Sequence, residues 1–539
     1  MRAFDHDARD WGTIALPSVL AAVLCFHGIT SRSLGFDEGA TVAIASQHGS
    51  ALGSAIAHDG GNMSGYYLLL HVLISAFGNG LLVLRFPSAL ATIATVALIG
   101  VIGLRCFDRR VALIAGLLAA VSLPLVYWAQ TARGYALMVA FVCAGYIAFC
   151  SLADAAPAGP PKRRAWIAYV VLMTLATYSS FVAVLVVPAQ LLVLVRRPRA
   201  AARLASALVA LAVCCVPLAI LAVRRGSGQL FWVPKPTRKV ETQVLQSLTS
   251  AGLQPSFHRT ATTVILLIVT LLALVGIAIV LVRARGQGEA GWPAAMTLAW
   301  FAVPVALTFV YSLVAQPIFL PRNLLMCVPA GGLLLALGIT DRRLPRLVAP
   351  IAVVVLVALR ALQVGASYGV SPEPWRAASA DVLARARPGD CIAFYPEDGR
   401  MAFQYYVGTG TAAARKAPRS ILPVARWGVV TPYVEDYLGL SPSVLARRSA
   451  GCRRLWFVSS HEGELNGPQQ SRANRALFRR LGGELQRAFG HAKVKQYGYA
   501  SAVHVQLLPG IHPGPPHAAR AVKDAAGRAS PRRSAGSAR

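Results

Sequence analysis

Asp37 and Glu38 stand side by side in the stretch SRSLGFDEGA, directly after the first apolar run of the chain. A carboxylate set against a hydroxyl is a general base, and a carboxylate beside a divalent cation is a ligand. Three arginines occupy comparable places at the ends of other apolar runs: Arg85 in LRFPSAL, Arg133 in AQTARGYAL and Arg322 in IFLPRNLL. The planar guanidinium fork suits phosphate. A base together with phosphate-neutralising cations is the equipment for displacing a phosphate leaving group by a hydroxyl. Each residue also has a plainer reading. The acids would serve as solvated loop residues or cap an interfacial helix, and each arginine would snorkel to headgroups or pair structurally. The three arginines taken together with the acid pair favour a site.

Such residues need a frame, and composition says which. Of 539 residues, 55% are hydrophobic and 14% charged, against about 25% charged in a soluble globular chain. Several apolar runs reach the ~20 residues that cross a bilayer. The fold class is therefore an α-helical polytopic membrane protein. Eleven spans are expected, at roughly 12–29, 86–104, 111–128, 134–152, 166–179, 181–195, 203–223, 260–282, 292–313, 323–340 and 346–366. The continuous apolar run 166–195 is divided at Tyr178-Ser179-Ser180 to keep both its ends inside. The segment 65–78, GYYLLLHVLISAFG, is short and is placed at the outer interface. The first run follows a lead of mixed charge without a small-residue cleavage site, so it reads as a retained helix.

With the N-terminus cytoplasmic, the inner connections RCFDRR, PPKRRA, RRPRAAAR, RARGQGE and DRRLPR are all rich in Arg or Lys, as the positive-inside rule requires. The net charge of +31 is thus assigned to topology and not to nucleic-acid binding. Upstream of residue 367, only Asp37, Glu38, Asp59 and Glu241 among the acids fall on the outer side. A carboxylate at the membrane edge costs desolvation energy unless it has work or a partner.

From about residue 367 the composition changes. Trp375 to Arg387 reads as a helix, CIAFYP and RLWFVSS as strands, and 467–488 as a helix. The division is 1–366 for the transmembrane domain, 367–510 for a small extracytoplasmic α/β domain, and 511–539 for a disordered basic tail. Cys391 and Cys452 each begin an expected strand on the oxidising side and are a candidate disulfide. The other seven cysteines lie in or beside apolar runs. His461 and Glu462 in SSHEGE read as a loop cap or solvated turn. Loop 224–259, with six basic residues, Phe231 and Trp232, either closes over a substrate or lies on anionic headgroups.

The ordered set FDEGA, YYLLLH, LRFPSALA, SLPLVYWAQTARGYAL and QPIFLPRNLLMCVPAGGLLLAL resembles the membrane glycosyltransferases of the GT-C fold. It is most similar to bacterial relatives of the dolichyl-phosphate-mannose protein mannosyltransferases and of the lipid A aminoarabinose transferases, the family 39-like enzymes. The resemblance covers about 12–366, with a looser echo in WRAASADVLARARPGD. It implies a polyprenyl-phosphate donor of a mannose- or arabinose-like sugar. The acceptor would be an envelope protein, lipid or glycan outside the bacterial cell membrane. Asp37 would be the base, with inversion at the anomeric carbon. Glu38 would position Asp37 or ligate a metal, and Arg85, Arg133 and Arg322 would neutralise the leaving phosphate.

There are departures from the family pattern. Asn62, Met63 and Ser64 replace a common His-Pro-Pro, and the preceding AHDGGN offers His58 and Asp59 as metal ligands or as solvated loop residues. Ser179-Ser180 stands where relatives often carry Thr-His, and Gln130-Thr131 where some keep an acid. No cofactor is required by this reading, and a divalent metal is an open option. Neither GDCI nor GTGTAA has the pattern of a nucleotide-binding glycine loop. The rival reading is a lipid-linked saccharide flippase or transporter. It calls for paired repeats or broken helices near the bilayer middle, which the sequence does not display. A non-catalytic envelope assembly protein is the third reading.

Overall fold

The computed structural model describes residues 8–154, 163–195, 197–226, 233–253, 258–286, 291–408, 412–427, 444, 447–465, 469–499 and 502–510. Phe231, Trp232 and the tail 511–539 lie outside the described residues, as do parts of GTGTAA and PPKRRA. The helices of the first part are α1 Ala8–Phe26, α2 Phe36–Ala45, α3 Gly49–His58, α4 Ser64–Phe77, α5 Leu81–Cys106, α6 Arg109–Ala120, α7 Leu123–Ala129, α8 Tyr135–Ala153, α9 Arg163–Ser179, α10 Val187–Val193 and α11 Pro198–Arg225. They continue with α12 Arg238–Leu248, α13 Arg259–Gly286, α14 Trp292–Val314, α15 Val328–Ile339 and α16 Val348–Ser367. Short 3₁₀ segments, Phe181–Val186 and Pro321–Cys327, lead into α10 and α15.

Among the described residues, eight helices are long and apolar enough to cross a membrane, or nine if α6 and α7, bent by 57°, count as one. The expected eleven is not reached on length and composition. The reason lies in the run 166–195. Ser180 takes an extended conformation at φ −168° and ψ 132°, which ends α9 after 17 residues and leaves a short apolar helix at Phe181–Val193. The break falls where the sequence places the turn. α4 has only 14 residues, short of a span.

The last part holds α17 Trp375–Arg385, β1 Asp390–Tyr395, α18 Gly399–Val407, α19 Ala412–Lys416, β2 Arg419–Leu422, β3 Arg454–Ser459, α20 Gln469–Phe489, β4 Lys495–Tyr497 and β5 Val503–Leu508. The sheet order is β2-β1-β3-β5-β4. β1 runs parallel to β2 and β3, and β5 is antiparallel to β3 and β4. β1 and β3 are buried on both faces, so they read as unbroken apolar runs. Cys391, Ala393, Tyr395, Leu455 and Phe457 face Leu481, Leu485 and Phe489 of α20. Ile392, Phe394, Trp456 and Val458 point the other way, into a core that continues through α17 and α18 to the helical bundle. Cys391 and Cys452 are joined by a disulfide with a Cα–Cα distance of 5.5 Å.

Candidate active site

The acid pair opens α2. Gly35, extended at φ −86° and ψ 175°, is the N-cap, so Asp37 and Glu38 lie in the first turn, where the helix dipole favours negative charge. Glu38 reaches back to accept the Gly35 backbone N–H at 3.1 Å, one half of a capping box. Its Oε1 also accepts the Ala132 N–H at 2.8 Å.

Arg85, on α5, donates Nε to Glu38 Oε1 and Nη2 to Oε2, both at 2.9 Å. The remaining guanidinium donors go to the carbonyls of Ile29, Arg32 and Ser33 at 2.8–3.2 Å. The side chains of Arg85 and Glu38 are 1% and 6% exposed. All five N–H groups of Arg85 are spent, which corrects its expected role at the phosphate: it is the buried partner of Glu38. Both Glu38 oxygens are saturated by two donors each, which leaves no lone pair for a metal. Burial works to raise the Glu38 pKa, but Arg85 and the Ala132 and Gly35 N–H groups outweigh it and hold the carboxyl below 4.5.

Asp37 points elsewhere. Its side chain is 47% exposed and Oδ2 accepts from Arg322 Nη1 at 3.1 Å. Arg322 sits on the 3₁₀ segment before α15. Arg133, in the turn between α7 and α8, donates Nη1 to the Asp37 carbonyl at 3.4 Å and to Thr41 Oγ1 at 3.3 Å. Its Nε is buried without a hydrogen-bond partner among the described residues. A Cβ on the following Gly134 would lie 2.3 Å from the Ser179 carbonyl oxygen, so that turn is pressed against the end of α9. Burial would lower the Arg133 pKa, but Asp37, Tyr67, Tyr135 and Asp59 together raise it well above the usual guanidinium range. Burial would raise Asp37, but Arg133, Arg322 and His461 outweigh it and hold the carboxyl below 3.8. The structure thus brings Asp37, Arg133 and Arg322 together and sets Arg85 and Glu38 behind them.

His58 and Asp59 end α3. Asp59 Oδ2 accepts the Tyr67 hydroxyl at 2.8 Å. No three His, Cys, Asp or Glu side chains that could hold a metal ion come together among the described residues. His58 and Asp59, read from sequence as metal ligands or as solvated loop residues, are not joined by such a third side chain among the described residues.

Two neighbours, Arg32 and Glu373, escape the sequence reading, and a third, His461, is given no role at the site there. Arg32 is buried, with its guanidinium 4.1 Å from the Tyr127 ring centroid and Nη2 on the carbonyls of Tyr127 and Gln130 at 2.9 and 3.0 Å. Its presence within SRSLGFDEGA was the available signal. Glu373, in the segment entering α17, accepts the Phe36 N–H at 2.6 Å. His461, expected as part of a loop cap or solvated turn, packs its ring on Phe36 with centroids 4.6 Å apart.

Residues 64–224 match the family described as dolichyl-phosphate-mannose-protein mannosyltransferase. That stretch contains Arg85 and Arg133 but not the acid pair. The fold is similar to ArnT from Cupriavidus metallidurans bound to undecaprenyl phosphate, at 14% identity and a TM-score of 0.54, over 95% of this chain and 100% of that one. It is also similar to the archaeal oligosaccharyltransferase AglB from Archaeoglobus fulgidus in complex with an inhibitory peptide and a dolichol-phosphate. There the identity is 13% and the TM-score 0.51, over 91% of this chain and 74% of that one. Among curated proteins no sequence matches. The resemblance to GT-C glycosyltransferases drawn from FDEGA, LRFPSALA and the later motifs is borne out at the level of fold and of this family segment.

Proposed function

We propose that this multi-pass membrane protein is an inverting glycosyltransferase. It moves a mannose- or arabinose-like sugar from a polyprenyl-phosphate donor to an acceptor on the outer face of a bacterial cell membrane. The family segment and the shared fold support a polyprenyl-phosphate-dependent transferase of the GT-C type. The observation that carries the reading is the arrangement at Asp37: a half-exposed carboxylate flanked by Arg322 and Arg133, with the buried Arg133 Nε unspent.

The residues divide the work. The acceptor hydroxyl gives its proton to Asp37 while its oxygen forms the bond to the anomeric carbon. The bond from that carbon to the phosphate oxygen breaks, and its electron pair leaves on the phosphate. Arg133 and Arg322 sit where that charge develops and need little reorganisation to meet it. Asp37, held below its ordinary pKa, is ionised whenever substrate arrives. The C-terminal sheet region lies on the extracytoplasmic side in this reading, where its disulfide is chemically at home.

The test is transfer from membranes holding wild type or Asp37→Asn at matched abundance, supplied with radiolabelled polyprenyl-phosphate mannose and polyprenyl-phosphate arabinose. Label should reach an envelope acceptor with wild type and fall by at least a hundredfold with Asp37→Asn. Full activity in the variant removes Asp37 as base. If no donor in a wider panel gives Asp37-dependent transfer, the transporter reading replaces this one.

A further inference from the structure

The segment bearing Asp37 is seated on the C-terminal part through a long set of contacts. Ser31 Oγ donates to the Tyr368 carbonyl at 2.6 Å and the Ser33 N–H to Ser371 Oγ at 2.8 Å. Tyr406 Oη accepts the Leu34 N–H at 2.7 Å. The Arg376 guanidinium spans the carbonyls of Thr30, Ser31 and Arg32. At the end of this series, beside Asp37, lie Glu373 and His461.

His461 occupies the left-handed region at φ 50°, uncommon for a residue with a side chain and sustained only where the surroundings fix it. Asn474 Nδ2 donates to its carbonyl at 3.0 Å, and the Ser460 hydroxyl lies 3.2 Å from Nδ1. Nε2 lies 3.5 Å from Glu373 Oε1, while Glu373 Oε2 holds the Phe36 N–H. The next residue, Glu462, is turned away onto Ser459, Arg475 and His504. Nothing in the transfer step described above uses His461.

We propose that His461 is a positioning residue of the transfer site, contributed by the C-terminal part: locked against Phe36 and Glu373, it fixes the first turn of α2 and so the carboxylate of Asp37. The inference rests on Asp37 being the base. The charged and titratable groups around Asp37 are then Arg133 from the α7–α8 turn, Arg322 from the 3₁₀ segment, Tyr67 from α4, and Glu373 and His461 from the C-terminal part. His461, from the C-terminal part, acts on the carboxylate in the same direction as the two arginines.

The experiment uses the full-length protein in detergent with a water-soluble carbodiimide, which couples to protonated carboxyl groups. Labelling of the Asp37 peptide is read by mass spectrometry across pH 4–7 for wild type, His461→Ala and His461→Gln. Removing His461 takes away a neighbour that favours the ionised form of Asp37, so labelling at pH 5 should rise severalfold in both variants. With the donors above, kcat should fall about tenfold in His461→Ala at unchanged donor KM. His461→Gln, which keeps a donor for Glu373, should recover most of that rate. Thermal unfolding should stay within 2–3 °C of wild type, because the side chain is 36% exposed. Unchanged labelling and unchanged kcat in His461→Ala overturn the proposal. Asp37→Asn run alongside separates the two failures: an active Asp37→Asn sinks the base assignment, whereas an inactive one with a wild-type-like His461→Ala sinks only the positioning role.

Discussion

At the residue scale, two neighbouring acids have opposite fates, and their environments decide which. Glu38 is buried and fully bonded to Arg85, so removing either partner strands a charge. Arg85→Ala or Glu38→Gln should cost about 3–5 kcal/mol, read as loss of folded protein in thermal unfolding and in membrane abundance. The Glu38 carboxyl is held below its ordinary 4.5 in the folded protein. Its contribution is therefore complete above 4.5 and disappears as pH falls through the lower folded value. An acid unfolding limb that persists unchanged in Glu38→Gln would contradict this. Asp37, half exposed between arginines, should by contrast tolerate replacement with little change in stability. Residue types and their places at helix ends identify Asp37, Arg133 and Arg322 from sequence. They do not separate Arg85 from the others, because spacing gives no account of where five N–H groups go. Only the carbonyls of Ile29, Arg32 and Ser33, brought together by the fold, reveal that Arg85 is already satisfied.

At the element scale, α2 is positioned by contact as well as by hydrogen bonds. A Cβ on Gly39 would lie 2.8 Å from the backbone of Ala402 in α18. Gly39→Ala must therefore push the two helices apart, at a cost of about 1–3 kcal/mol. Because Asp37 and Glu38 ride on the same turn, transfer should fall with it. Differential scanning fluorimetry and the membrane assay, compared with Gly53→Ala on an open helix face, check this; equal behaviour of the two variants would refute the close approach. Long apolar helices are legible in sequence because length and composition suffice. β1 and β3 are legible too as short apolar runs bounded by polar turns, and α17 and α20 as polar helical segments beside them. α18 and β5 are not: their burial is set by the bundle and by β3, which no local pattern records. The split at Ser180 is anticipated by topology, yet the resulting short segments do not reach span length.

At the scale of the whole molecule, one continuous core joins bundle and sheet. Trp375, Phe394, Phe403 and Trp456 belong to the same cluster as Tyr66, Tyr67 and Leu70. A boundary near 367 marks a change of composition but no gap in packing. The disulfide between Cys391 and Cys452 closes 61 residues, a constraint of about 4 kcal/mol on the unfolded chain. The double variant Cys391→Ser, Cys452→Ser should unfold at lower temperature, and reductant should then have no further effect on it; unaltered melting would discount the bond. The contacts of residues 31–36 with 368–406 also carry a timetable. Their partners are separated by 337–373 residues, whereas Arg85 and Glu38 are 47 apart. At about 5–20 residues per second of synthesis, the turn bearing Asp37 waits roughly 15–65 s for its seat after Glu38 can already find Arg85. A nascent chain ending at residue 367 should leave a Leu34→Cys thiol open to reagent, and the finished chain should protect it. The expected maturation of the acid pair is thus staged, Glu38 first and Asp37 only once residues 368–406 have been made.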